Sequence, residues 1–424
     1  MGKESRMKIA VVGAGVAGIV ASYLLQRRHD ITLYEKNDYI GGHTHTIVIE
    51  NGEDAGTPVD TGFIVFNEKT YPNFLLFLSQ LGVEKQNSTM CFSYYDEQTG
   101  LTYGSATLDT LFAQRINTCR PSFWMMIFGI LHFNRHTPRR LHDGRLQGFT
   151  MGEYLSTCRY NPHFIEKYLI PMCASVWSAP DVRMLDFPME TFARFFLNHG
   201  LFSIIKHPQW YTVKGGSHEY VKAFLKTFKG RILPKTPIQA IRRENSSVYV
   251  KTLSGSEDAY DKVVLACHAD EALAMLADPS PEESRLLSRW AYSFNRTILH
   301  TDTFFLPRNP KVWSSWNYVR SSRVESGSPI MLTYHMNRLQ NLSTRNHYCV
   351  TLNPKTPVEQ RHVIREMIYT HPIYTPESLA TQRGIHNISG QRNTHYCGSY
   401  LGYGFHEDAV KSAVAVARSF GIEL

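Results

Sequence analysis

The sequence has no C-x-x-C pair, no block of like charge and no long uninterrupted apolar run. Its seven cysteines are scattered. That pattern argues against a disulfide framework and against a zinc site, so no metal is expected and a reducing compartment is. No stretch reaches the roughly 18 consecutive apolar residues that a membrane-crossing helix needs. An apolar strand pattern begins at Lys8, with no long apolar region and small-residue cleavage site ahead of it. No secretory leader is therefore expected, and the chain reads as cytoplasmic. Without a basic run or a nucleic-acid motif, nucleic acid is not an expected partner.

What remains is a globular composition. The 424 residues are 43% hydrophobic and 19% charged. At about 150 residues per domain this corresponds to two to three domains, long enough for a large core. Lys+Arg 45 against Asp+Glu 37 gives a net charge of +8. A mild basic excess of this kind suits an anionic cofactor or an anionic lipid surface.

The strongest signal lies in the first 46 residues. Lys8-Ile-Ala-Val-Val12 is an apolar run suited to a buried parallel strand. Gly13-Ala-Gly15-Val-Ala17-Gly18 follows, then a helical pattern through Ile19, Val20, Tyr23, Leu24 and Leu25. A second strand over 30–34 ends at Glu35, followed by Lys36. The acid stands roughly 20 residues beyond Gly13, the spacing at which a carboxylate meets a ribose diol. Gly13 permits the tight turn, Gly15 admits a pyrophosphate close to the backbone, and Gly18 lets helix and strand pack. The helix N-terminus faces the phosphate charge. A negative Glu35 disfavours a 2′-phosphate.

The fingerprint continues through Gly41-Gly42-His43-Thr44-His45-Thr46. This stretch resembles the Gly-Gly-Arg-x-x-Ser/Thr extension of the flavin amine oxidase superfamily, with His43 in place of the usual arginine and Thr46 at the hydroxyl position. Later segments agree. Lys214-Gly-Gly216 feeds a helical pattern, and short strands follow to Ala266. The residue matching Ile238 contacts the adenine through its backbone in that superfamily. Gly398, Gly404, Phe405 and His406 form a glycine-rich turn into a C-terminal helix, which in the superfamily holds the ribityl and pyrophosphate groups. The segment Gly62-Phe63-Ile64-Val-Phe66 matches a turn beside the flavin ring. As a set, these and the stretches Ser315-Trp316-Asn317-Tyr318, Thr333-Tyr334-His335 and Leu352-Asn353-Pro354 resemble a group of bacterial NAD/FAD-binding proteins within the superfamily. Members of that group are linked with enzymes that modify unsaturated acyl chains.

The resemblance implies an α/β fold: a doubly wound, Rossmann-type FAD-binding domain with an inserted α+β substrate domain, as in amine oxidases. The discontinuous FAD domain is expected over 1–70, 211–290 and 385–424, and the substrate or cap domain over 71–210 and 291–384. The first insertion reads mainly helical, over 71–81, 108–133, 151–158, 162–175 and 190–199. The second reads as strands over 297–305, 312–318, 330–336 and 348–352, then a helix from 356 or 357 to about 367.

The implied cofactor is non-covalent FAD, since Cys397 stands where the superfamily has a small unlinked residue. Expected cofactor contacts are Gly13, Gly15, Ala17, Gly18, Glu35, Lys36, Gly42, His43, Thr44, Thr46, Gly62, Phe63, Ile64, Ile238, Gly398, Gly404, Phe405 and His406. The chemistry is expected to be hydride transfer from a lipophilic substrate to flavin N5. Alternatives are amine, amino-acid or polyene oxidation, double-bond isomerisation, and a nucleotide-binding regulator without turnover. Candidate acid–base groups are His300, His335, His406 and Glu407, the last two also readable as a helix cap. Tyr400 and Tyr403 are candidates for an aromatic pair facing the flavin.

One segment is open to two readings. The apolar run over 123–133 is flanked by Arg115, Arg120, Arg135, Arg139 and Arg140. It suits either a buried helix or a helix lying in a membrane interface, so residues 119–140 are a candidate peripheral membrane contact.

Overall fold

Lys8–Val12 is the central strand of a five-stranded sheet, and the reason is its alternation. Ile9 and Val11 join one apolar core while Ala10 and Val12 join another, so both faces of the strand are buried. The structure, a computed structural model, describes residues 6–177, 184–203, 208–321 and 330–424. The sheet runs Arg231–Leu233, Asp30–Tyr34, Lys8–Val12, Lys262–Leu265, Thr394–Tyr396, and every neighbouring pair is parallel. This is the doubly wound arrangement expected from the strand–glycine–helix–strand pattern.

Helices Val16–Leu25 and His406–Ser419 cover one face together. Gly18 makes the first of these contacts. A Cβ there would stand 1.8 Å from the Gly13 carbonyl oxygen. A three-stranded antiparallel sheet, Ile238–Glu244, Ser247–Thr252 and Glu257–Tyr260, covers part of the other face. Arg243 fastens it: its guanidinium donates to Glu283 (2.6 and 3.0 Å), to Asp278 (3.0 Å) and to Thr394 (3.2 Å) on the last strand of the parallel sheet.

A second sheet of seven strands lies apart from the first. Its order is Val363–Ile373, Ala291–His300, Cys349–Leu352, Leu332–His335, Trp316–Arg320, Phe92–Asp96, Thr102–Gly104. Two of these strands come from the segment read as mainly helical. Phe92–Asp96 pairs parallel with Trp316–Arg320, which ties together segments distant in the chain.

The helix expected from 356 or 357 to 367 is not formed. A single 3-10 turn, Gln360–His362, leads into the strand Val363–Ile373. That strand pairs antiparallel along Ala291–His300 from Ile373 to Val363. Branched and aromatic residues at Val363, Ile364, Ile368, Tyr369 and Ile373 suit the strand, and the ladder outweighs the weak local helical pattern. The helix expected over 108–133 is broken. Leu108–Leu111 ends, a 3-10 turn Arg115–Cys119 follows, and a new helix, Pro121–His142, starts with proline at its first position. The strand expected over 297–305 ends at His300, and Thr303–Phe305 is a 3-10 turn. Among the described residues, no helix is long and apolar enough to cross a membrane.

Candidate active site

The glycine turn, the C-terminal helix and the second sheet surround one cavity of about 1780 Å³. This exceeds the usual few hundred to about 1,000 Å³ of a single-ligand pocket. At one end stand Gly13, Gly15, Ala17, Glu35, Lys36, Gly42 and Ile238. A Cβ on Gly15 would meet no protein atom within 4 Å, so this glycine leaves open a space that a side chain would fill. Gly42 packs on it, since a Cβ on Gly42 would come within 3.0 Å of the Gly15 Cα. Glu35 accepts the amides of Ala14 and Asn37, each at 2.9 Å, which fixes its carboxylate at the rim. Lys36 lines the rim but pairs with Glu271.

His43 stands beside this cradle, stacked on Tyr369 with ring centroids 5.2 Å apart and next to His371 at 5.3 Å. Burial first, then His371 and His268, push its pKa down to about 3. Burial likewise pushes His371 down to about 4. These imidazoles are neutral at ordinary pH. His43 Nε2 is buried and has no protein partner. A neutral imidazole with one orphaned nitrogen in the cavity wall fits a polar ligand such as a dinucleotide.

The residues expected beside the flavin converge from three places. Gly62 lies against the His43 carbonyl, where a Cβ would stand 2.2 Å away, and Phe63 N donates to the same oxygen at 2.8 Å. Phe63 stacks on His406, the first residue of the C-terminal helix. His406 Nε2 bonds Thr44 Oγ1 at 3.0 Å, and the Thr44 and Tyr220 hydroxyls bond each other. Burial, then His43, holds the His406 imidazole well below its ordinary pKa. Phe63, Ile64, Gly398, Gly404, Phe405 and His406 all line the cavity.

Several expected site residues lie elsewhere. Thr44 and Thr46 stand behind the wall rather than in it. The Thr46 hydroxyl donates to Asp60 (2.5 Å) and accepts from His218 N (2.9 Å). Asp60 also accepts from Ser217 N and Oγ, both at 2.8 Å, and from Gln340 at 3.1 Å. Gly18 is spent on helix packing. The Glu407 carboxylate accepts Asn73 N (3.0 Å), Asn73 Nδ2 (2.6 Å) and Phe74 N (2.9 Å), so it caps the helix Pro72–Gln80. His335 bonds His347 at 3.0 Å outside the cavity lining. His300 is fully buried and bonds Thr351 at 2.7 Å.

Tyr400 and Tyr403 do line the cavity but pack on different partners, Tyr400 on Trp290 and Tyr403 on Phe195. Sequence reading missed Tyr369, His371 and His268. The first two lie on the strand Val363–Ile373, just beyond the expected helix, in a stretch that sequence reading left unassigned.

A parallel sheet with a glycine cradle at one strand end and a helix N-terminus facing the same cavity is the arrangement of a dinucleotide-binding protein. The family model of the NAD(P)-binding Rossmann-like domain matches residues 11–81, and that of flavin containing amine oxidoreductases matches residues 182–419. The second match covers more than half of the chain, and the protein belongs to the flavin containing amine oxidoreductase family. It is a flavin-dependent oxidoreductase.

Zeta-carotene desaturase of Solanum lycopersicum is 33% identical over 81 residues, 19% of this chain and 13% of that protein. The Arabidopsis thaliana desaturase is 31% identical over 84 residues, 20% of this chain and 14% of that one. The chain thus matches only a small part of the length of these relatives. Among solved structures, the CLA-producing fatty acid isomerase from P. acnes superposes with a TM-score of 0.66 at 17% identity, covering 99% of this chain and 100% of that one. Putrescine oxidase bound to putrescine gives 0.69 at 12%, covering 98% and 99%. Cyclohexylamine oxidase from Brevibacterium oxydans IH-35A gives 0.69 at 14%, covering 98% and 100%. At these identities the likeness is one of fold.

Proposed function

We propose that the protein binds FAD non-covalently and acts on a lipophilic substrate, most concretely an unsaturated or methyl-branched fatty acyl chain. The observation that carries this reading is where the cavity opens. Leu108 is 77% exposed and Leu131 is 45% exposed, and both line the cavity. Part of the cavity therefore opens beside exposed apolar side chains. Leu111, Ile127, Ile130, Met172 and Val176 continue the apolar wall inward. An amine substrate is not favoured. Among the described residues the cavity's carboxylates are Glu35 and Glu271, and Lys36 binds one while backbone amides hold the other.

The cradle residues Gly13, Gly15, Ala17, Glu35, Gly42, His43 and Ile238 would hold the ADP half of FAD, and Gly62 to Ile64, Gly398 and Gly404 to His406 the flavin half. Cys397 is buried and does not line the cavity, in keeping with a non-covalent cofactor. FAD supplies a hydride acceptor. The residues around it orient the acyl chain and exclude water, with neutral His43, His371 and His406 adding no charge to the wall.

The mouth belongs to the same surface as Trp124, Met125 and Phe128, exposed on one helix with Arg135 and Arg139. This surface fits peripheral contact with an anionic membrane through residues 119–140. Incubating the holoprotein with lipid and following acyl masses and flavin bleaching tests the proposal. A mass change with bleaching is expected, and neither occurring with any lipid would overturn it. A redox-neutral isomerisation is a second reading. It is favoured by the near-complete superposition on a fatty acid isomerase, and an isomer formed without oxygen uptake would select it.

A further inference from the structure

Among the described residues, Arg338 is the one guanidinium that lines the cavity. It rises from the short helix Met336–Leu339, directly after the strand Leu332–His335. Nη1 donates to the Trp313 carbonyl at 3.0 Å. Nε is buried and has no partner. No carboxylate among the described residues forms an ion pair with it. Among the described residues Nη2 has no protein acceptor either, so this cavity-lining guanidinium keeps a terminal nitrogen for a ligand carboxylate oxygen.

The side chains described around it are aromatic, apolar or neutral. Trp316 and Tyr334 pair in register on adjacent strands, and with Met90 and Cys91 they line the same part of the cavity. His335 and His347 stand behind Arg338, and burial, His347 and Arg338 push His335 down to about 4, so it is neutral. A cation against an aromatic and apolar wall is unfavourable until an anion meets it. The cofactor phosphates have their own place at the glycine cradle, built from other residues.

We infer that Arg338 receives the carboxylate of a free long-chain fatty acid, which makes the substrate a free acid rather than an acyl chain esterified in a lipid. This rests on the lipophilic-substrate reading. Phe92, Tyr103, Leu111 and Ile127 line the same cavity and offer an apolar wall for the hydrocarbon.

The test titrates the holoprotein with an unsaturated 18-carbon fatty acid and, separately, with its methyl ester. Quenching of tryptophan fluorescence, with Trp313 and Trp316 beside the arginine, and perturbation of the flavin spectrum report binding. The wild type is expected to bind the acid on the order of tenfold more tightly than the ester. R338Q is expected to lose that preference while binding the ester as before and keeping its flavin. R338K is expected to retain part of the preference. Equal binding of acid and ester by the wild type overturns the inference and leaves the lipophilic reading standing. Binding of neither overturns both. An unchanged acid preference in R338Q, or loss of flavin from R338Q without loss of that preference, also overturns the inference.

Discussion

The imidazole of His406 lies flat on the ring of Phe63, with centroids 3.5 Å apart and planes inclined by 11°. The stack joins the start of the C-terminal helix to the turn that follows the glycine cradle. His406 Nε2 is at the same time committed to Thr44, so the ring is held from both its face and its edge. His406→Phe keeps the stack and leaves the Thr44 and Tyr220 hydroxyls bonded to each other. It should cost about 1 kcal/mol of stability and retain most of the flavin and turnover. His406→Ala opens a void and should cost about 2–3 kcal/mol, with flavin lost on gel filtration. Thermal unfolding and flavin content of the two variants check this. A complete loss of turnover in a flavin-loaded His406→Phe would show that the imidazole moves a proton.

Two glycines in the same turn should behave differently. Gly15→Val adds atoms only to open cavity space, so the protein should fold with an unchanged unfolding midpoint as apoprotein and carry no flavin. Gly18→Ala drives a methyl group into the Gly13 carbonyl and should lower stability by several kcal/mol. Circular dichroism and the flavin absorbance of the purified variants separate the outcomes.

Acid should destabilise the fold well above the usual carboxylate range. Burial pushes His199, His300, His371 and His395 down to about 4, and His43 down to about 3. The unfolded chain binds these protons near pH 6.5, so stability falls as pH drops from about 6.5 toward 4. Asp60 and Asp408, raised to about 6 by burial, work in the opposite direction between pH 6 and 4. The histidines outnumber them, and each pKa unit is worth about 1.4 kcal/mol. The unfolding midpoint should therefore decline steadily from pH 7 to pH 5. A midpoint that rises over this interval would contradict the burial of these imidazoles.

The apolar surface at the cavity mouth is separable from the fold. Phe128 is 62% exposed and Trp124 is 38% exposed. Phe128→Ala should leave stability within about 0.5 kcal/mol, while Trp124→Ala should cost about 1 kcal/mol more, because Trp124 Nε1 donates to the Thr118 carbonyl at 2.9 Å and its ring packs on Phe112. In the double variant, cosedimentation with anionic vesicles should fall by an order of magnitude or more, from apolar burial worth about 1.5–3 kcal/mol per side chain. Neutral vesicles should bind the wild type more weakly, and added salt should reduce the difference as Arg135 and Arg139 are screened.

Much of the cofactor half was legible in the chain. Gly13, Gly15 and Gly18 announce the turn because each is needed for a backbone reason that acts over a few residues. The second sheet was less legible. Val363–Ile373 carries both a faint helical spacing and a strand alternation, and only its ladder with Ala291–His300 decides between them. The expected helix overlapped only the start of this strand, and its unassigned remainder carries Tyr369 and His371. Glu407 shows the converse. Beside His406 in the chain, it reads as a site residue, yet its carboxylate caps another helix.

By itself, then, the sequence determined the turn, the strands on either side of it and the basic-flanked apolar helix, because chain geometry and hydrophobic period are local properties. The tertiary structure decided which polar groups were left unsatisfied. His43 Nε2 is buried without a partner in a wall to which Val363–Ile373 contributes Tyr369 and His371. Arg338 is set in the cavity wall, with Nη1 on the Trp313 carbonyl, only once the second sheet has formed. Burial and the meeting of distant side chains are set by packing, and it is packing that turns ordinary residues into a site.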